Sequence, residues 1–361
     1  MSAAVFLLKI ILVILTVKAS LFWLYIWQLK EYRLLRFMAE YGGLKKILRL
    51  WLFSGGRRFY APVWTSKAIL ALMFLFALLL LSAVFLPYLL VYFLAAPLAT
   101  AVVYILRVPT NFMKESVYRR AESRIRRAKE KGLIVVGITG SYGKSSTKEF
   151  LSQILSHKFK VLKTPRNINS ELGVARFVLD KVSENDKVLV VEMGAYHTGE
   201  IANLARIARP EIGILTGITE QHLALFGSLE NIKKAKFELI ESLPQNGLAV
   251  FNGDNEYLPE MAKRWQGKSI IYHRDQNLRP DLPPHYQTNL SGAVEVARYL
   301  GMSDKEIEAG IKNIRLTDIM ISTHTGRGGA FVINDTYSAN PEGVRAAFLV
   351  SLLTRRAMLP S

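Results

Sequence analysis

Residues 68–106 contain no charged side chain, and that run limits what this part of the chain can become. A single bilayer crossing needs about 20 apolar residues as a helix, and the run is about twice that length. Pro87 lies near its middle and Pro97 further on. We expect two spans joined by a very tight turn near Pro87. One long kinked helix or a re-entrant hairpin is the alternative the same residues allow. Residues 3–27 are also almost wholly apolar, with Phe22, Trp23, Tyr25 and Trp27 gathered at one end, as an interfacial aromatic belt would be. Lys9 and Lys18 interrupt them. A secretory signal peptide is the rival reading, but no small-residue cleavage site supports it. The expectation for residues 1–106 is a membrane region of about three helices.

Charge follows this division. The formal net charge is +18, of which residues 28–67 hold +7, residues 107–132 hold +6, and everything from Leu133 onward only +3. A nucleic-acid-binding surface would concentrate the charge on a folded domain. Here it flanks the apolar segments instead, so a lipid bilayer is the expected partner and nucleic acid is not. Three spans with the N-terminus outside put both basic blocks in the cytoplasm, as the positive-inside rule asks. In residues 28–58 Leu, Phe and Trp alternate with Lys and Arg, the pattern of an amphipathic segment lying on anionic lipid. Residues 107–132 read as a basic stalk, with 119–131 a solvated linker helix. The chain has no cysteine, which excludes disulfides, Cys-based zinc sites and thiol nucleophiles.

The chemistry lies further on. Residues 137–150 read GITGSYGKSSTKEF, a glycine-rich loop between an apolar strand-like run (133–136) and a helical pattern. Gly140 and Gly143 let backbone N–H groups turn inward onto phosphate oxygens. Lys144 can reach the terminal phosphates, and Ser145 puts a hydroxyl where Mg²⁺ would sit. An ordinary Gly-rich turn is the bland alternative, and the strand before and helix after argue against it. Residues 187–192 (KVLVVE), 212–216 (IGILT) and 248–252 (LAVFN) read as further strands, and 146–156, 199–206 and 229–243 as helices. Fully apolar strands alternating with helices predict an α/β fold, a phosphate-loop type of mostly parallel sheet covered on both faces. Ligands of such sheets sit at the C-terminal strand ends.

Glu192 closes one strand and can bind Mg²⁺ through oxygen, with a helix-capping acid as the alternative. His222 follows another strand and is a candidate for metal or phosphate. Asn252 and Asp254, in FNGDN, can read an adenine edge and a ribose, or simply form a turn. Lys236, in AKFELIE, reads by itself as a surface lysine.

These pieces resemble the Mur ligase family in order and wording, most closely the type that adds D-alanyl-D-alanine to a muramoyl tripeptide. The resemblance runs from about Leu133 to Ala347. GITGSYGKSSTKEF resembles the family's ATP loop, including Thr139 and Ser146. TPRNINSELGVARFVL resembles its asparagine-rich loop, with Asn167, Asn169 and Gly173 matching. The long stretch from VVEMGAYHTGE to KKAKFELI resembles the central block. VFNGDN resembles the adenosine segment, HYQTNLSGAVEVARYLGM the end of the central domain, and INDTYSANPEGVRAA the opening of the C-terminal domain. The resemblance implies ATP and Mg²⁺ as cofactors, and an acyl phosphate made on a muramoyl-peptide or related carboxylate. An amino acid or dipeptide then attacks it. It also implies that Lys144 neutralises the β/γ-phosphates, Ser145 and Glu192 hold one metal ion, and His222 helps hold a second. By the same implication Lys236 is carbamylated, Asn252 faces adenine, and Asp335, Tyr337 and Asn340 form part of the signature at the domain junction.

The chain departs from the family in three places. Membrane spans and a stalk stand where the family has a domain gripping the UDP-sugar, which suits a lipid-linked acceptor. The family's arginine before DTYSANP has no aligned counterpart, with Arg315 and Arg327 as stand-ins. Residues 318–361 are expected to be only the truncated start of the C-terminal domain, after a central domain at 133–317. That shortening motivates a rival reading, a non-catalytic membrane-tethered nucleotide-binding scaffold. A polyglutamate-type ligase is the rival within the class.

Overall fold

The computed structural model describes residues 3–30, 32, 34–54, 59–220, 223–315, 322–325 and 331–334. The chain forms two compact units, Met1–Glu115 and Ser116–Ser361.

The first unit is helical. It comprises α1 (Ala3–Leu29), α2 (Leu34–Tyr41), α3 (Leu44–Ser54), α4 (Ser66–Phe85), α5 (Tyr88–Ile105) and the start of α6 (Arg107–Glu130). The stretches Ala3–Leu29, Ser66–Phe85 and Tyr88–Glu130 are long and apolar enough to cross a bilayer. The charge-free run is two helices, as expected, and the break falls at Leu86 and Pro87, both extended. Pro97 is accommodated inside α5. α1 packs on α4 and α5, and small residues at the seam (Ala19, Ala71, Ala95 and Ala99, all buried) let the backbones approach closely. Trp27 stacks on Phe37 at 4.6 Å and donates from Nε1 to Thr100 Oγ1 at 3.2 Å. Thr65 caps α4 by accepting from Ala68 N–H. The outward faces are apolar: Phe6, Leu7 and Ile14 on α1, Met73, Leu80 and Phe85 on α4, and Leu89 and Phe93 on α5 are exposed. A water-soluble bundle would reverse that pattern. In the basic segment, Lys45, Lys46 and Arg49 of α3 are exposed, while Ile47 and Leu50 pack on the helical core.

The second unit is α/β. Its elements are β1 (Ile134–Thr139), α7 (Lys144–Leu155), β2 (Val161–Lys163), α8 (Glu171–Lys181), β3 (Val188–Glu192), α9 (Glu200–Ala208), β4 (Ile212–Leu215), α10 (Leu223–Phe226) and α11 (Leu229–Glu241). There follow β5 (Leu248–Asn252), α12 (Leu258–Ala262), β6 (Lys268–Tyr272), α13 (Pro284–Tyr299), α14 (Asp304–Lys312), β7 (Ser322–Thr325) and β8 (Phe331–Asn334). Among the described residues, β2-β3-β1-β4-β5-β6 form one sheet, and every pairing in it is parallel. Strand residues alternate between two cores. Val135, Leu189, Val191 and Phe251 face one core with α8, α9 and α11. Val136, Ile138, Val190 and Val250 face the other with α7, α13 and α14. Both faces are apolar, so the strands read as unbroken hydrophobic runs. Gly137 and Gly213 are register partners. A Cβ on Gly137 would stand 2.8 Å from Leu239 Cδ1, so these two glycines let α11 lie close on the sheet.

The second half of α6 is not a solvated linker. Tyr118, Ala121, Ile125 and Ala128 recur on one helix face and are buried in the first of these cores. Arg124 Nε donates to Val182 O at 2.8 Å, and Lys129 pairs with Glu211 at 2.6 Å. β7 and β8 form an antiparallel pair.

Candidate functional site

β3 and β4 flank β1, and the winding of the sheet reverses across β1. That reversal opens a crevice at the C-terminal strand ends, where ligands of such sheets bind. The glycine-rich loop occupies it. Gly143, the residue before α7, has φ +78°, and a Cβ there would lie 2.6 Å from Asn289 Oδ1 on α13. Gly140 has φ +155°, and its Cβ would run into Thr216 Oγ1. Only glycine fits either position. The loop is braced from below. Thr139 Oγ1 donates to Met193 O at 2.9 Å, Thr216 Oγ1 donates to Tyr142 O, and Asn289 Nδ2 donates to Ser146 Oγ at 2.8 Å. The N-terminal N–H groups of α7 face the loop, a ready anion site.

Glu192 is the hub. It is 3% exposed at the end of β3. Its Oε2 accepts from Ser145 Oγ at 2.9 Å and from Lys148 Nζ at 3.2 Å, and its Oε1 from Asn169 Nδ2 at 3.1 Å. Its backbone N–H donates to Thr164 Oγ1 at 3.0 Å. Burial pushes this carboxyl up, but the Lys148 and Lys144 ammoniums and the bonds from Asn169 and Ser145 outweigh it and hold it below the usual carboxylate range. Lys148 is wholly buried, with Glu149 Oε1 3.9 Å from its Nζ, and Glu149 pairs in turn with Lys163.

Lys144 Nζ donates back onto its own loop, to Gly140 O at 2.8 Å and Ser141 O at 3.2 Å. Burial lowers its pKa and Glu192 partly restores it. Lys236 is 4% exposed on α11 and not the surface lysine its local sequence suggests. Burial first and the charge of Lys144 second bring its pKa down to about 7, against the pull of Glu238. The shift favours the free amine over the ammonium. That is the form that adds CO₂.

Ser145 Oγ and Glu192 Oε2 supply two hard oxygen donors side by side. They would suit a Mg²⁺ ion, which would supply positive charge beside the phosphate loop. Among the described residues no three His, Asp or Glu side chains gather as a metal cluster. His222, Asp335, Tyr337 and Asn340 lie outside the described residues.

Asn252 is buried. Its Nδ2 donates to Thr216 O at 2.8 Å, and its Oδ1 accepts from Asp254 N–H at 3.0 Å, so its amide shapes the loops after β4 and β5. Asp254 lies on the rim, 2.8 Å from His273 Nδ1 and accepting from Arg274 N–H. Asn167 adopts a left-handed backbone, φ +64°, in the loop that delivers Asn169. Sequence reasoning did not single out Lys148, Thr164, Asn255 or Asn289. Asn255 Nδ2 donates to Tyr142 OH at 3.2 Å and to Ile218 O at 3.1 Å. For Lys148 the signal was spacing, since it stands one helical turn after Lys144.

Fold and loop together define a phosphate-loop domain of the parallel α/β class. Residues 138–290 match the family profile described as Mur ligase middle domain, and the chain contains such a domain. A UDP-N-acetylmuramoyl-tripeptide--D-alanyl-D-alanine ligase of Bacillus subtilis is 30% identical over 241 residues, 60% of this chain and 52% of that one. The enzyme of that name from Escherichia coli is 43% identical over 121 residues, 34% of this chain and 26% of that one. The chain thus spans about half the length of the B. subtilis relative. Among solved structures, MurF from Acinetobacter baumannii superposes with a TM-score of 0.60 at 26% identity, over 66% of this chain and 58% of that one. MurF ligase from Thermotoga maritima in complex with ADP gives 0.56 at 25% identity, over 66% and 61%.

Proposed function

We propose that the α/β unit is the nucleotide-binding part of an ATP- and Mg²⁺-dependent amide-bond ligase of peptidoglycan precursor synthesis, held at a membrane by the apolar helices. The acceptor is a muramoyl-peptide carboxylate, and D-alanyl-D-alanine or a similar amino component is joined to it. The observation that carries this reading is the 2.9 Å pairing of Ser145 with Glu192 beside the glycine-rich loop. The names of the relatives and the ADP complex of the T. maritima protein support the reaction class.

In this reading the acceptor carboxylate oxygen attacks the γ-phosphorus of ATP, the bond to the β-bridging oxygen breaks, and ADP leaves. The amine then attacks the acyl carbon and loses a proton, phosphate departs, and the amide forms. Lys144 exchanges the carbonyls of Gly140 and Ser141 for the β- and γ-phosphate oxygens. The N–H groups opening α7 receive the rest of the phosphate charge. Ser145 and Glu192 would hold Mg²⁺, which supplies positive charge to the transferring phosphoryl group. Lys148 and Asn169 orient the Glu192 carboxylate. Lys236 as a carbamate would place an anion where the nearby Lys144 charge disfavours an ammonium. By resemblance His222 joins the metal site, Asn252 and Asp254 the nucleoside, and Asn167, Asp335, Tyr337 and Asn340 the acceptor side.

The outward apolar faces favour a membrane-presented, lipid-linked muramoyl peptide as a second acceptor. Both basic blocks then lie on the cytoplasmic side with the catalytic unit, and the hairpin between α4 and α5 on the other. Phosphate release from [γ-³²P]ATP by the detergent-solubilised chain tests the assignment, with each acceptor in turn plus D-alanyl-D-alanine. Release that needs both substrates and vanishes in Lys144→Ala supports the ligase. ATP bound with no release from either acceptor supports the scaffold instead.

A further inference from the structure

The α/β unit has a second concave site, away from the phosphate loop. Arg120, Ser123, Arg124 and Arg127 of α6 and Leu179 of α8 line a shallow, open recess of about 340 Å³. The three arginines recur at spacings of four and three, so they share one helix face. No carboxylate lines the recess. Arg124 commits its Nε to Val182 O and keeps its two terminal nitrogens. Among the described residues Arg120 and Arg127 have no ion-pair partner, whereas neighbouring charges are matched: Glu122 holds Arg209 at 3.1 Å and Lys129 holds Glu211 at 2.6 Å. Three arginines lining one recess gather like charge that an anion would offset. Their planar forks match phosphate oxygens two at a time. Ser123 adds a hydroxyl donor, and Leu179 gives the recess one apolar wall.

We propose that this recess binds a phosphate or diphosphate group, with the headgroup of an anionic membrane amphiphile as its expected source. Two further features favour the membrane source over a soluble phosphate ester. α6 follows directly on the last apolar helix, α5. Its opening turns expose Val108, Phe112 and Met113 beside Arg107 and Lys114, the composition of an interfacial segment. The site is separate from the ATP crevice and does not depend on the ligase reading.

The test uses the full chain in a neutral detergent. Binding of dihexanoyl phosphatidylglycerol, dihexanoyl phosphatidylcholine and inorganic diphosphate is measured by calorimetry on wild type and on the double variant Arg120→Gln/Arg127→Gln. Both positions are exposed, and the variant keeps the Arg124 bond to Val182. ATP binding, measured on the same samples, reports that the unit is folded. The expected result is that phosphatidylglycerol binds the wild type and phosphatidylcholine does not, and that the double variant weakens binding about tenfold or more with ATP binding unchanged. Diphosphate binding that the variant loses equally supports the phosphate site and assigns it to a soluble ester. Equal binding by wild type and variant, or no binding of either anionic probe to the wild type, overturns the proposal.

Discussion

At the residue scale, Glu192 and Lys148 are a buried ion pair inside a hydrogen-bonded set. Removing one partner strands the other charge in a low-dielectric interior, which costs about 3–5 kcal/mol. Glu192→Gln is therefore expected to lower the thermal midpoint and to abolish Mg²⁺-dependent nucleotide binding. Lys148→Met should destabilise by a similar amount while sparing Ser145. Because the folded-state pKa of Glu192 is depressed, its stabilisation is present above the unfolded carboxylate value and is lost as pH falls through the folded one. Acid unfolding of Glu192→Gln, followed by circular dichroism, should lack that contribution.

Lys236 has the opposite consequence. Its folded pKa of about 7 lies below the ordinary lysine value of 10.5, so between the two the unfolded chain holds a proton the folded one lacks. Stability rises with pH across that window. Lys236→Met should be more stable than wild type at neutral pH, and the slope should flatten in denaturant titrations from pH 7 to 10. ¹³C-bicarbonate should give a carbamate resonance in wild type that the variant lacks. Lys236 could not be placed in the interior from its own neighbours in sequence. It takes the glycines of β1 and β4, distant in sequence, to bring α11 down onto the sheet.

At the element scale, the central strands were legible because burial on both faces leaves them no polar positions, as in KVLVVE and LAVFN. The edge strands β2 and β6 were not. Each has one neighbour, β2 is half-buried throughout, and β6 exposes most of its residues, so neither has an unbroken apolar run. The docked face of α6 was hidden for another reason. Tyr118, Ala121, Ile125 and Ala128 stand among arginines, and composition masked their 3–4 spacing. Close packing of α11 gives this scale its prediction. Gly137→Ala puts a methyl 2.8 Å from Leu239 Cδ1 and 3.1 Å from Met193 Cε. It should destabilise the α/β unit by about 1–3 kcal/mol in urea unfolding, by overpacking rather than by backbone strain.

At the scale of the whole molecule, the charge map and the apolar outer faces make one claim about sidedness. Because the chain has no cysteine, single introduced cysteines can be labelled against a silent background. Leu86→Cys, at the tip between α4 and α5, should react with a membrane-impermeant maleimide in intact cells. Glu130→Cys should react only after lysis. The reverse pattern would place the basic blocks outside and contradict the topology. The crevice at the strand ends was legible from one contiguous loop, whereas the helical unit was legible only as composition. Its internal order rests on contacts such as Trp27 with Thr100, between residues far apart in the chain.

The central claim is that the loop between β1 and α7, with Glu192, binds a magnesium nucleotide. Isothermal calorimetry of ATP binding to the solubilised full chain, with and without Mg²⁺, tests it most directly in wild type, Lys144→Ala and Glu192→Gln. The account predicts Mg²⁺-enhanced binding in wild type, loss in Lys144→Ala, and loss of the Mg²⁺ enhancement in Glu192→Gln. Binding that is unchanged in all three proteins, or absent from a folded wild type, would contradict it.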